Sequence, residues 1–339
     1  MFKNYLIIAL RNLLRHKGYS FIKIAGLAIG MAACILILLF IQNELSFENM
    51  HADAGRIYRV LTIDKALGTH NQRVGISMPA MGPALPGAFP EVEASLRLTF
   101  GGQTLLSRPG ENRPAIYAQQ LRSADANFFE FFDYNLLKGD PAKALAQPFS
   151  LVLTESLAKQ LFGDEDPIGK TVKDGDGTAL QITGILADLP DNTHLEFDAL
   201  GAISTITSQA KANQPPNSTQ PVFTESWQAI AMPTYIRLAH GASAEGLPEK
   251  FTKLARDNNV SPNFDVVVQP LLDVHLKSTD IIFDAVTNKG DLNNVYIFAA
   301  IALLILVIAA VNYMNLSTAR SAGRAKEVGL RKVVGSYQS

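Results

Sequence analysis

The chain has 339 residues, a single cysteine, and 30 basic against 31 acidic side chains. With 47% apolar and 18% charged residues, it is neither a disordered chain nor a disulfide scaffold, and its balanced charge argues against a general nucleic-acid binder. The charge is nevertheless partitioned. Residues 1–42 carry five basic residues and no acidic one, residues 295–339 carry five basic and one acidic, and the middle carries 20 basic and 30 acidic.

Residues 1–18 place Phe2, Leu6, Leu10, Leu13 and Leu14 at helical spacing, with Lys3, Arg11 and Arg15 on the other side. This predicts a basic amphipathic helix on the inner membrane leaflet, with Gly18 as a break before the chain turns into the membrane. Residues 24–41 are uncharged and strongly apolar. Twenty helical residues cover roughly 30 Å, the thickness of a bilayer core, and a helix satisfies its backbone groups there. A buried core helix is the competing reading, but such helices stop at about 10–14 continuous apolar residues. The first transmembrane helix is therefore placed at 19–42. Its length and the lack of a small-x-small site at its end argue against a cleaved signal peptide. Cys34 follows Met31-Ala32-Ala33 and resembles a lipobox cysteine, yet processing there would strand an apolar half-span, so it reads as a small residue of a helix interface. Gly26 and Gly30 form a GxxxG pair for close helix packing.

Residues 43–291 read as an α+β domain, in two subdomains, lying outside the membrane between two transmembrane α-helices. A strand is expected at 56–63. Three prolines and two glycines predict that any helix in 77–89 is broken. Thr154 is placed to cap a helix that Gly163 stops. Residues 171–186 read as a hairpin turning on Asp174-Gly175-Asp176-Gly177. The polar tract 208–221 reads as a loop or subdomain junction, followed by a helix at 247–258 and a strand at 264–269.

Three chemical motifs compete with structural readings. Gly163 to Thr171 approaches a P-loop, but has five residues between its glycines where four are needed, and Asp164, Glu165 and Asp166 would repel phosphate. Ser156-x-x-Lys159 matches S-x-x-K, without the companion Ser-Asp-Asn and Lys-Thr-Gly elements. The six histidines show no i, i+4 pair for a metal. No catalytic residue, cofactor or metal ligand is expected.

The second transmembrane helix is placed at 292–316, with Asn312 and Asn315 able to hydrogen-bond to neighbouring helices. The basic flanks put both termini in the cytoplasm and residues 43–294 in the periplasm. Two helices make a thin bundle, so further permease helices or a second permease copy are expected beside the membrane lipid.

Taken in order, several segments resemble one known family. They are Ala9-Leu10-Arg11-Asn12-Leu13-Leu14-Arg15, Glu44-Leu45-Ser46-Phe47, Arg56-Ile57-Tyr58-Arg59-Val60, Asn127-Phe128-Phe129 to Gly139-Asp140-Pro141, the run 151–172, Asp273-Val274-His275-Leu276, and the stretch from Asn312 to Lys332. The chain resembles MacB/FtsX-like ABC transporter permeases with a MacB-like periplasmic core domain. The resemblance implies a non-catalytic permease driven by a separate cytoplasmic ABC ATPase subunit. It also implies a lipoprotein, peptide or antibiotic as substrate, a periplasmic adaptor in some members, and no nucleic acid. It makes 317–339 a cytoplasmic coupling segment, with Arg324, Glu327, Gly329, Arg331, Lys332 and Gly335 as the residues that meet the ATPase. Family members carry at least four spans, so the chain reads as the front part of a longer permease. Topology and charge alone fit a two-span receptor with an external sensing domain equally well.

Overall fold

The computed structural model describes residues 17–65, 72–110 and 114–333. They form two units, one holding the two long helices and the other running from Ser46 to Asp291. The expected amphipathic helix and Gly335 lie outside the described residues.

Helix α1 (Lys17–Glu44) contains a 21-residue apolar stretch, Ile24–Glu44, whose side chains, such as Ile29 and Leu36, are exposed. Gly18 does not break the chain: it lies within α1. An exposed helical glycine costs about 1 kcal/mol and does not by itself end a helix.

The Ser46–Asp291 unit runs β1 (Ile57–Asp64), β2 (Gln72–Val74), α2 (Met81–Ala88), β3 (Val92–Arg97), β4 (Gly102–Leu106), β5 (Ile116–Ala124), α3 (Phe128–Phe131), β6 (Leu136–Lys138), β7 (Ser150–Thr154) and α4 (Glu155–Phe162). It continues through β8 (Thr171–Lys173), β9 (Ala179–Leu186), β10 (Ala199–Ala202), α5 (Ile203–Ala212), β11 (Thr234–Leu238), α6 (Leu247–Asp257) and β12 (Phe264–Pro270). Helix α7 (Leu292–Val333) then begins with a second 21-residue apolar stretch, Leu292–Asn312. The class is an α+β domain flanked in sequence by two apolar helices.

The domain has two sheets. In the first, the order is β12-β1-β11-β3, with β2 also on β1 and all pairs antiparallel. Helix α6 buries Leu247, Phe251 and Ala255, spaced at i, i+4 and i+8, in the same core as Val60, Ile236 and Leu85. The second sheet runs β4-β5-β10-β7-β9-β6, with β8 on β9. Its β5–β10 and β7–β9 pairs are parallel, the latter joined by a crossover carrying α4, as parallel pairing requires. The sheet curls until β4 and β8 meet, where Ser107 and Lys173 exchange backbone hydrogen bonds of 2.9 and 2.8 Å. The interior is filled by Leu151, Ile182 and the buried face of α4, Leu157, Leu161 and Phe162. A third core joins the two sheets and is aromatic: Phe128 stacks on Tyr134 at 5.4 Å, and Phe132 meets Tyr235 edge-on at 5.5 Å.

Several local readings are met for the expected reason. Thr154 Oγ1 accepts from Leu157 N at the start of α4, and Gly163 ends it at φ 63°. β8 and β9 form the expected hairpin, with Asp174 Oδ1 accepting from the backbone of Asp176 and Thr178. Two readings are corrected. Residues 81–88 do form a helix, α2, despite Pro86 within it. Pro83 falls in the first turn, where no intrahelical N–H bond is needed. The Gly82 carbonyl, which Pro86 has no N–H to reach, accepts from Ser95 Oγ at 2.7 Å. The tract 208–221 is not all loop, because α5 extends to Ala212.

Candidate functional site

The Ser46–Asp291 unit is continuous with the two long helices at two chain connections. Both segments just inside these connections are built into its core.

The incoming segment is residues 46–51. Asn192 Nδ2 donates to Ser46 O and Oγ, each at 3.1 Å, and its carbonyl accepts from Glu48 N at 3.1 Å. Phe47 lies flat on the His275 ring, with centroids 3.3 Å apart. Glu48 holds φ at 63°, a left-handed conformation unusual outside glycine, and this aims its side chain into the core, where it has no solvent exposure.

There the carboxylate sits between two buried imidazoles. Oε1 accepts from the His194 backbone N at 2.5 Å and lies 2.9 Å from His194 Nδ1. Oε2 lies 3.3 Å from His51 Nε2. His194 Nε2 hydrogen-bonds Tyr235 Oη at 2.7 Å. His51 Nδ1 accepts from Asp133 N at 3.0 Å, which leaves the His51 proton on Nε2, facing Glu48. Burial alone would raise the Glu48 pKa, but the His194 charge and the hydrogen bonds from both histidines outweigh it and hold the carboxyl well below the usual range.

The outgoing segment, residues 278–290, is gripped by three buried or half-buried cations. Arg59 of β1 is 1% exposed. It pairs with Asp284 Oδ1 at 2.5 Å and donates to Gln269 Oε1 and Ser278 Oγ at 2.8 and 3.1 Å. Lys289 Nζ pairs with Asp284 Oδ2 at 3.0 Å and donates to Ser278 O and Ile281 O. Arg122 of β5, also 1% exposed, donates to three carbonyls, including Ala285 O at 2.8 Å. Burial draws its pKa down. Gly75 packs so closely that a Cβ there would lie 2.9 Å from Asp284 Cα.

His275 serves both segments. Its ring stacks on Phe47, its Nδ1 is 3.0 Å from Asn288 O, and its carbonyl accepts from Gly290 N at 3.0 Å. The anchors also reach both sheets, since Arg59 and Tyr235 belong to the first and Arg122 to the second, while His194 lies between β9 and β10. Among the described residues no group of three His, Cys, Asp or Glu side chains is placed to hold a metal ion. What the arrangement supplies is a set of buried polar contacts that hold both end segments of the domain in its core.

The sequence-predicted residues lie elsewhere. In the helix unit, a Cβ on Gly26 would lie 3.7 Å from Asn312 Nδ2, and one on Gly30 would lie 3.6 Å from Ala309. Cys34 Sγ is 3.4 Å from Ala302 O. Asn315, Arg324, Glu327, Gly329, Arg331 and Lys332 all fall on α7, which continues past the apolar stretch to Val333. The two decoy motifs are structural. Glu165 pairs with Arg108 and Lys170, and Ser156 Oγ donates to Asp188 Oδ2 at 2.5 Å.

Sequence reasoning missed Glu48, His51, His194, Arg59, Arg122 and Asp284 as a set. One signal was available: Arg59 is a lone cation amid Ile57, Val60 and Leu61 in a strand buried on both faces. His275 and Arg59 also sit within segments that carry the family resemblance.

A two-sheet α+β domain with buried polar anchors at both of its ends, flanked in sequence by two apolar helices, defines a membrane protein with an extracytoplasmic domain. Residues 20–254 match the MacB-like periplasmic core domain, and the chain belongs to that family. Membership makes it a permease-type transport protein of the inner membrane that works with a cytoplasmic ATPase. No curated protein matches the chain. Among solved structures, a domain of a protein assigned as a permease from Porphyromonas gingivalis is 22% identical with a TM-score of 0.53, over 65% of this chain and 92% of that one; it supports the fold. The periplasmic region of MacB from Actinobacillus actinomycetemcomitans (12%, TM-score 0.43, 65% and 91%) and the extracellular domain of the noncanonic ABC-type transporter YknZ from Gram-positive bacteria (11%, 0.44, 62% and 99%) are more distant.

Proposed function

We propose that this chain is a non-catalytic permease subunit that passes ATP-driven motion from a cytoplasmic ATPase to its periplasmic domain, for export or extraction of a lipoprotein, peptide or antibiotic. Both termini are cytoplasmic in this reading, and residues 43–294 are periplasmic. Arg324, Glu327, Gly329, Arg331, Lys332 and Gly335 meet the ATPase, and Gly26, Gly30, Asn312 and Asn315 pack helices against each other or against further permease helices. A periplasmic adaptor fits the same scheme. The observation that carries the reading is the anchoring of both chain connections in buried charge pairs, with His275 touching both. A flexible tether would let a helix displacement dissipate in the linker, whereas a junction with packed, paired groups moves as a body. The family match favours this reading over the two-span receptor.

The test places one spin label at exposed Lys173, in a Cys34→Ala background with the ATPase present, and reads the distance between the labels of two permease copies in the assembly. ATP should shift the distance distribution in the parent protein. Arg59→Met should retain the ATPase and lose the shift. An unchanged distribution in the parent on adding ATP would sink the reading. On the cytoplasmic side, Glu327→Arg should lower ATPase co-purification at least tenfold, the worth of about 1.4 kcal/mol. Unchanged co-purification would remove Glu327 from the coupling surface.

A further inference from the structure

Two bulky apolar side chains stand bare on the segment that leads to the second apolar helix. Phe283 is 61% exposed and Ile282 is 41% exposed, although Ile281 beside them is buried. The fold holds them out. Phe283 takes φ 45°, a region disfavoured for a bulky residue. Ile282 N donates to Arg73 O at 3.1 Å, and Ile282 O accepts from Gly75 N at 2.9 Å. The next residue is Asp284, held by Arg59 and Lys289.

The occupant follows from charge, size and chain connection. The charged groups beside the tip are paired within the domain: Arg73 grips Asp280 with two bonds of 2.8 and 2.6 Å, and Asp284 is doubly paired. Among the described residues the tip therefore presents hydrocarbon beside charges that are paired within the domain. Two side chains are far too small a patch for a protein interface, which takes about 800 Å² from each partner. Lys289, whose Nζ sits on Ile281 O at 2.8 Å, is three residues from Leu292, where the apolar helix begins. Three residues reach at most about 11 Å, and the headgroup layer on each side of a bilayer is roughly 5–7 Å thick.

We propose that Ile282 and Phe283 insert into the headgroup–acyl boundary of the adjacent leaflet and fix the base of the domain at the lipid surface. Exposed apolar side chains gain from such insertion in proportion to the area removed from water. The contact is independent of how ATP-driven motion is transmitted.

The test uses the full chain in phosphatidylcholine vesicles, with Trp227→Phe and Phe283→Trp combined. F223W in the same background is the control, because Phe223 is half-exposed and distant along the chain from both helices. Acyl-chain-brominated phosphatidylcholine should quench and blue-shift the F283W emission and leave F223W unchanged. Quenching of F283W by iodide in the water phase, with no effect of brominated lipid, would place the tip in water and overturn the proposal. Protection from both quenchers would mean that protein covers the tip, and would overturn it equally.

Discussion

Asp284→Ala should destabilise the periplasmic domain by roughly 3–5 kcal/mol, the usual cost of removing one partner from a buried ion pair. Arg59 would keep Gln269 and Ser278 as hydrogen-bond partners but would hold a charge with almost no solvent and no counter-ion. Lys289, 23% exposed, would lose its carboxylate as well. The loss comes from the stranded charge more than from the pair's own strength, so removing both charges should cost less than removing one. Arg59→Met with Asp284→Asn should recover much of the stability lost in Asp284→Ala. Denaturant unfolding of the full chain in detergent measures this, followed at Trp227, which packs against the core of the first sheet. If Asp284→Ala unfolds within about 1 kcal/mol of the parent, the pair is not what fixes the outgoing segment.

Glu48→Gln should cost about 3 kcal/mol at pH 7, within the range for breaking buried ion pairs. The amide has one acceptor where the carboxylate has two, so it can face one imidazole N–H and must turn its NH2 toward the other. The pH dependence has a defined sign. The folded pKa of Glu48 lies below its unfolded value, so its ionisation stabilises the fold above about pH 4.3, the ordinary glutamate value. That contribution fades as pH falls from there toward the folded pKa. The stability gap between parent and Glu48→Gln should thus narrow as pH falls below about 4.3. A gap that stays constant down to pH 3 would show that the carboxylate's ionisation contributes nothing.

These two residues belong to the part of the protein that was illegible in the chain. Local features could be read because their causes are local. The two apolar stretches, the Thr154 cap, the Gly163 stop and the Asp174–Gly177 turn each depend on a few neighbouring residues and on backbone preferences that do not change with context. The strand read at 56–63 lies within a residue of β1 at both ends. The 77–89 segment was misread because proline propensity was applied without position. Pro83 needs no bond in the first turn, and Ser95, more than ten residues away on β3, supplies the donor that the Gly82 carbonyl would otherwise lack. The 208–221 tract was misread because polar composition does not distinguish a surface helix turn from a loop.

The MacB-like family, the α+β class and the two apolar helices followed from the linear pattern, because hydropathy over 20 residues and ordered short motifs carry that information without a partner in space. The junction did not. Glu48 and His194 are 146 positions apart, Arg59 and Asp284 are 225 apart, and nothing in either neighbourhood names the other. Only the two sheets, packed through their shared aromatic core, bring those charges out of water and within 3 Å of each other. Desolvation then turns ordinary polar residues into the anchors at the root of the domain.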